Sequence, residues 1–321
     1  MNDGSETEPA RTAVARNAID RIAVAWIAVD WGTSNLRAWA IGADGGVLAR
    51  ARSDEGMGKL SREDFEPALL RLIAPWLAGS PPVLACGMVG SRQGWCEAPY
   101  RVVPCTPLDP AAQASAPTLD PRLRVRIAPG LKQAAPPDVM RGEETQIAGA
   151  LTLMPGYDGI LCLPGTHSKW AEISAGAVVG FRTFMTGELF ALLSEASVLR
   201  HGMQGDGWDD HAFDAALSDA LSRPEQIAAR LFALRAEGLI ADLPPAAARS
   251  RLSGLLIGIE LAAARPFWLG RRVTLIGAEG LSAAYARALR AQAVEVGCLA
   301  ATDCTLAGLA CLVPQTEGAV R

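Results

Sequence analysis

"IAVDWGTSNLRAWAI", residues 27–41, decides the fold. An apolar run ends in Asp30, turns through Gly32, Thr33, Ser34 and Asn35, meets Arg37 and becomes apolar again. Successive apolar residues bounded by turn formers read as a strand buried on both faces. Upstream, "IAVAWIAVDWG" carries that strand from Ile22, and downstream "LRAWAIGADGGVLARARS" reads as two strands joined by an Asp-Gly-Gly turn. The result is an antiparallel meander of three strands with an acid at its first bend. Gly32 lets the backbone turn tightly and a ligand approach closely. Thr33 and Ser34 supply backbone N–H groups and hydroxyls as phosphate donors. Asp30 cannot bind phosphate, since both are anionic, but it can hold a hydrated magnesium ion that does. Arg37 adds positive charge. A plain hairpin closed by an Asx turn is the competing reading.

A second stretch echoes the first. "LPGTHSKW" (163–170) repeats the donor set in Gly165, Thr166 and Ser168 without the acid, and sits inside a second strand–turn–strand meander, 159–184. The two turns lie about 135 residues apart, which suggests two related halves. A phosphate chain gripped from both sides needs two such turns and one metal carboxylate. Lys169 is one of only three lysines, and His167 is either a ligand contact or an ordinary turn residue.

Three further stretches carry chemistry. "GEETQ" (142–146) puts Glu143 and Glu144 at the start of a helix, where the helix dipole favours their ionised form. A carboxylate there can take a proton from an attacking alcohol; simple capping is the alternative. "GMVGSRQGW" (87–95) follows a buried strand and offers Ser91, Arg92, Gln93 and Trp95 to a polar pocket, with the Arg92 fork suited to a carboxylate. "IGAEGLSAAYARAL" (276–289) offers Gly277, Ala278 and Gly280 as a flat backbone surface for a nucleotide base. Neither a Rossmann fingerprint nor a P-loop is present.

The remaining chain is ordinary. "REDFEPALLRLIAPWLA" is an amphipathic helix, residues 104–138 read as loops and short strands, residues 209–265 as helices punctuated by Pro224, Pro244 and Pro245, and "TDCTLAGLACLV" as a closing helix. With 321 residues and half of them hydrophobic, the chain suits two domains of ordinary size. A net charge of −4 calls for no nucleic acid. Its bases are 27 Arg and three Lys, a coding bias. Seven Cys without a CxxC pair, beside three His, read as buried thiols of a reduced cytoplasmic protein and not as a zinc site. The polar start is unlike a signal peptide, and no apolar run approaches the roughly 20 residues of a membrane span.

In order, these pieces resemble the actin / Hsp70 / sugar-kinase superfamily: "DWGTSNLR" its first phosphate loop, "LPGTHSKW" its second, "IGAEGLSAAYARAL" its adenosine motif. "GMVGSRQGWCEAPY", "RGEETQIAGAL", "LPGTHSKW" and "FRTFMTGELFALLSE" together resemble the 2-dehydro-3-deoxygalactonokinase family. The resemblance implies an α/β chain of two ribonuclease-H-like (actin-like ATPase) domains flanking a nucleotide cleft. Residues 1–21 would be a flexible leader, 22–152 and 153–302 the two domains, and 303–321 a helix crossing back to the first. It implies ATP and Mg2+ as cofactors, a small sugar acid as partner, and transfer of a phosphoryl group to the 6-hydroxyl of 2-dehydro-3-deoxy-D-galactonate in galactonate catabolism. Asp30 would organise the metal; Gly32, Thr33 and Ser34, and Gly165, Thr166 and Ser168, would bind phosphates. Glu144, followed by Gln146, would be the base, with Glu143 the alternative. A kinase of a different sugar on the same fold, or a non-enzymatic nucleotide-gated binding protein, are the rival functions.

Overall fold

The computed structural model describes residues 23–313. The opening meander is β1 (Trp26–Trp31), β2 (Leu36–Ile41) and β3 (Val47–Ser53), antiparallel in sequence order. β1 starts later than the apolar run predicts, because residues 23–25 are only intermittently covered. The amphipathic helix α1 (Phe65–Ile73) buries Phe65, Ala68, Leu69 and Ile73. β4 (Val83–Gly87), fully buried, runs parallel to β1. The Pro- and Ala-rich stretch supplies β5 (Tyr100–Val102), β6 (Ala114–Ser115), β7 (Val125–Ile127), β8 (Gly130–Gln133) and β9 (Asp138–Met140). The first sheet is ordered β3-β2-β1-β4-β7-β6. Helix α2 (Glu143–Leu153) then leaves this half.

The second half repeats the plan. β10 (Gly159–Leu163), β11 (Ser168–Ser174) and β12 (Ala177–Phe184) form the second antiparallel meander. Helices α3 (Thr186–Ala191), α4 (Asp210–Ser222), α5 (Ile227–Ile240), α6 (Pro245–Ala263) and α7 (Arg265–Trp268) follow. The prolines fall between or at the first turn of these helices, where a missing N–H costs nothing. β13 (Val273–Gly277) joins β10 in parallel, α8 (Glu279–Arg290) packs behind it, and β14 (Val296–Ala300) leads into α9 (Ala301–Ala310). This sheet is ordered β12-β11-β10-β13-β14. In both sheets the first strand is flanked by its antiparallel hairpin partner and by a parallel fourth strand. That repeated topology is the ribonuclease-H-like plan, present twice.

Two helices join the halves. Ala148 of α2 lies in a core cluster with Trp26, Ala28 and Leu309, and Ile147 and Ala150 lie in another with Leu161, Leu163 and Cys304. The two helices cross at backbone contact: a Cβ on Gly149 would stand 1.8 Å from the Cys304 carbonyl oxygen, and one on Gly308 would stand 1.9 Å from that of Thr145. The leader expected over 1–21 and the tail beyond 313 lie outside the described residues. All seven Cys are free; Cys86, Cys162 and Cys304 are buried, while Cys298 and Cys311 are exposed, so the expected burial holds for only some of them. No described helix is long and apolar enough to cross a membrane.

The crossing is testable with two glycines of opposite setting. Gly149→Ala forces the helices apart and is expected to destabilise the fold by about 1–3 kcal/mol or more, despite the better helix propensity of Ala. Gly238→Ala in α5, where a Cβ meets nothing within 4 Å, is expected to be neutral or stabilising by up to about 1 kcal/mol. Urea-denaturation midpoints compare the two.

Candidate active site

The first turn is held by a segment distant in sequence. Gly32 N donates to Asn35 O across the bend (2.9 Å), Met57 N to Gly32 O (3.0 Å) and Gly58 N to Thr33 O (2.9 Å). Gly56 makes that approach possible: a Cβ there would stand 2.2 Å from the carbonyl carbon of Ser34. Asp30 and Arg37 face each other in the β1–β2 register and form an ion pair. Arg37 is therefore not a free phosphate ligand as the protein stands; its charge neutralises Asp30. Burial raises the Asp30 pKa, the Arg37 charge opposes this, and the charge of Glu143 adds to the rise.

The second turn is braced the same way. Glu188 N donates to Thr166 O (2.9 Å), and a Cβ on Gly187 would stand 2.3 Å from the Gly165 carbonyl oxygen. His167 Nε2 lies 2.5 Å from Glu188 Oε2. Both turns open on one cleft of about 630 Å3, lined by Asp30, Gly32, Thr33 and Arg37 on one wall and by Gly165, Thr166 and His167 on the other. Gly277 and Ala278, at the β13–α8 turn, line the same cleft.

The start of α2 lies between these walls. Glu143 lines the cleft; its Oε1 pairs with Lys169 Nζ at 2.8 Å and its Oε2 accepts from Arg141 N at 3.1 Å. Lys169 also donates to His167 O at 3.1 Å, so this ion pair ties the second turn to α2. Glu144 departs from expectation. Its side chain turns inward, is fully buried and does not line the cleft. Oε2 accepts from Gly142 N (2.7 Å) and Oε1 from Thr145 Oγ1 (3.1 Å). Burial first, and the neighbouring Glu143 charge second, push its pKa up to about 8. The helix dipole, expected to keep it ionised, is outweighed because full burial strips the charge of its water, a larger effect than the partial charge at a helix N-terminus supplies.

Several other expected contacts also fall elsewhere. Ser168 is buried with its Oγ 2.9 Å from Tyr285 OH, so it faces the core of the second half and not the cleft. Ser34 sits exposed at the tip of its turn, outside the cleft lining. Trp95 is a core residue, stacked with Phe65 at 6.1 Å and edge-on to Trp31 at 6.2 Å. Arg92 and Gln93 are exposed, and the Arg92 side chain, 81% accessible, has Glu97 3.9 Å away as its ionic neighbour. Period-2 and turn patterns fix where a residue lies along the chain, but a loop such as 88–99 has no period, so the direction of its side chains comes from packing alone.

Sequence reasoning missed Arg141. It is 8% exposed and lines the cleft, yet it forms no ion pair among the described residues. Nη2 donates to Ala98 O (2.8 Å), the guanidinium stacks 4.2 Å from the Tyr100 ring, and Nε and Nη1 are buried without a partner. The hydroxyl of Ser91 is likewise buried and unpartnered. The signal available was position: Arg141 immediately precedes GEETQ.

A second cavity of about 760 Å3 begins where the cleft ends. Gly165 and Thr166 line both. Its other walls include Phe190, Arg249 stacked 5.0 Å over the Phe190 ring, Trp208, Tyr285 and Gly280. Gly280 thus faces this cavity while Gly277 and Ala278 face the cleft, so one turn touches both spaces.

The model of the 2-keto-3-deoxygalactonokinase family matches residues 30–312. The chain belongs to that family. A Rhizobium meliloti (strain 1021) protein carrying the 2-dehydro-3-deoxygalactonokinase name is 41% identical over 288 residues, covering 87% of this chain and 93% of the relative. The Escherichia coli (strain K12) 2-dehydro-3-deoxygalactonokinase is 35% identical over 281 residues, covering 87% and 94%. A crystal structure of a Sinorhizobium meliloti protein with the same name superposes with a TM-score of 0.83 at 39% identity, covering 89% of this chain and 97% of the other. The shared plan of this kinase family therefore extends through both halves and the cleft.

The buried Glu144 makes the stability of the fold depend on pH. Its pKa rises from an ordinary 4.5 in the unfolded chain to about 8 in the fold. The folded state then holds the extra proton, so the contribution is full below the unfolded value and is lost as pH rises towards about 8. Glu144→Gln carries no charge to desolvate. Stability measured by urea denaturation at pH 5 and pH 8.5 is expected to fall for the parent protein and to fall less for the variant.

Proposed function

We infer that the chain transfers the γ-phosphoryl group of ATP to the 6-hydroxyl of 2-dehydro-3-deoxy-D-galactonate. The observation that carries this reading is the single cleft lined by both glycine turns with a helix-borne carboxylate, Glu143, between them. Phosphoryl transfer passes through a loose transition state, so positioning and charge neutralisation supply most of the acceleration. The two turns would hold the phosphates, with backbone N–H groups of Thr33, Gly165 and Thr166 as donors, while the Gly32 N–H closes its own bend on Asn35 O. The neighbouring 760 Å3 cavity would take the adenosine, its base lying over the Gly277–Gly280 backbone beside Phe190 and Arg249. Among the described residues no cluster of three or more His, Cys, Asp or Glu forms a metal cage. Magnesium does not need one: it keeps its waters, rides on the phosphates and takes one or two carboxylates. Asp30, with 15% of its side chain accessible at the cleft wall, suits that role. The ion, when bound, would neutralise charge on the β- and γ-phosphates.

Glu143 replaces Glu144 as the residue that would orient the acceptor hydroxyl and take its proton late. Its present partner, Lys169, would turn to the anionic phosphates as they arrive and leave the carboxylate to the alcohol. Arg141 replaces Arg92 as the group for the substrate carboxylate, since its guanidinium is held in the cleft wall with two unpartnered nitrogens. Residues 22–152 and 153–302 would close on each other about the α2–α9 crossing, excluding water that would compete as acceptor. A cytoplasmic location fits an ATP-consuming enzyme with seven free thiols.

A panel of sugar acids with coupled ADP detection tests the reading: turnover should depend on the 2-dehydro-3-deoxy acid. ATP turnover indifferent to every added sugar acid would instead favour a nucleotide-gated binding protein. Glu143→Gln is expected to lower kcat by about 10²–10⁴ with little change in either KM, whereas Glu144→Gln should keep most of the turnover. Arg141→Gln should raise the KM for the sugar acid by roughly 10–100-fold and leave that for ATP nearly unchanged, as loss of a charge-assisted pair requires.

A further inference from the structure

One buried carboxylate takes no part in the chemistry above. Glu260, on α6, is 2% exposed and receives donors from three separate elements. Its Oε1 accepts from Trp170 Nε1 of β11 at 2.7 Å. Its Oε2 accepts from Tyr285 OH of α8 at 2.7 Å and from Thr186 Oγ1 at the start of α3. Tyr285 OH in turn lies 2.9 Å from Ser168 Oγ, at the end of the second glycine turn. Ser168, Trp170 and Tyr285 are each at most 1% exposed. Desolvation raises the Glu260 pKa, and the hydrogen bonds from Thr186, Tyr285, Trp170 and Ser168 oppose it. A carboxylate buried without a cation is costly, and an apolar residue would fill the same space without that cost. What the carboxylate adds is direction: two acceptor oxygens that fix three elements at set distances.

Those elements are the walls of the proposed nucleotide site. Thr186 and Tyr285 line the 760 Å3 cavity. Thr186 is followed by Gly187, against which the Gly165 carbonyl packs, and by Glu188, whose N–H holds Thr166 O. Ser168 and Trp170 continue from the same turn into β11. The turn is therefore gripped on both of its ends by groups that converge on one side chain. We propose that Glu260 is a positioning residue for the nucleotide: through Thr186 and through the Tyr285–Ser168 pair it sets the second phosphate turn against the adenosine cavity. It touches neither ligand. The inference rests on the reading that this turn and cavity take ATP.

The test uses the full chain and measures three quantities: KM for MgATP, KM for the sugar acid, and the affinity for a non-hydrolysable ATP analogue by calorimetry. Glu260→Leu keeps the volume and removes both acceptors; it is expected to weaken the analogue and raise the KM for MgATP by roughly tenfold or more, with the sugar-acid KM within about twofold. Glu260→Gln keeps an acceptor and an amide that the two hydroxyls can adapt to, and should recover most of the affinity. Ser168→Ala and Tyr285→Phe cut the link further out, should each cost several-fold in ATP affinity, and carry the test if the leucine variant does not fold. Equal rises in both KM values, or ATP affinity at the parent level in Ser168→Ala and Tyr285→Phe, would overturn the proposal. Parent protein that binds no ATP analogue at all would instead overturn the kinase reading on which it rests.

Discussion

Everything in this molecule depends on how closely α2 and α9 cross. At Gly149 and Gly308 each helix meets a backbone carbonyl of the other where any side chain would clash. Packing at that distance brings the two sheets near enough for turns separated by more than a hundred residues to line the same cleft. It also sets the N-terminus of α2 between them. Larger residues at the crossing would push the helices apart and widen the cleft, and a triphosphate bound there as proposed would tolerate little widening, since hydrogen bonds weaken steeply beyond about 3.2 Å.

The cleft itself is a balance of charge. Asp30 is held by Arg37 and Glu143 by Lys169, whereas Glu279, at the start of α8, lines the wall with no ion pair among the described residues. Of the two arginines that line it, Arg37 is paired and Arg141 has no ionic partner among the described residues. Behind the wall two further carboxylates meet burial differently. Glu144 has one backbone donor and a neighbouring hydroxyl, and its proton is held to about pH 8. Glu260 has donors from Trp170, Thr186 and Tyr285 converging on it, and burial still raises its pKa. The same residue type is thus a wall group, a buried acid or a structural hub according to how many donors the fold directs at it.

The two halves echo each other below the level of their residues. Both turns close a first hairpin, both rest against a glycine from a later segment, and both first strands take a parallel fourth strand on their far side. The difference is chemical: both turns carry Gly, Thr and Ser, but an acid precedes the first and a lysine follows the second. A polyphosphate bound as proposed would need that asymmetry, because a second carboxylate facing it would repel what the first, through a metal, would attract.

Local order was legible in the sequence. The two meanders, the amphipathic helix, the helix start at GEETQ and the strand–turn–helix after residue 272 follow from hydrophobic period and turn formers, which act over a few residues. The site was legible as a set of stretches but not as a set of side chains. Asp30, Gly32, Thr33, Gly165 and Thr166 lie in the cleft because a hairpin turn projects from the sheet edge whatever surrounds it. Glu144, Ser168, Trp95 and Arg92 point elsewhere, while Arg141 lines the cleft and Glu260 is buried among donors, because side-chain direction in a loop or on a two-sided helix is chosen by what packs against it. Sequence alone determined which backbone turns exist. Only the tertiary structure decided which carboxylate stays in water and which is buried, since the free energy of a charge depends on neighbours that come from everywhere in the chain.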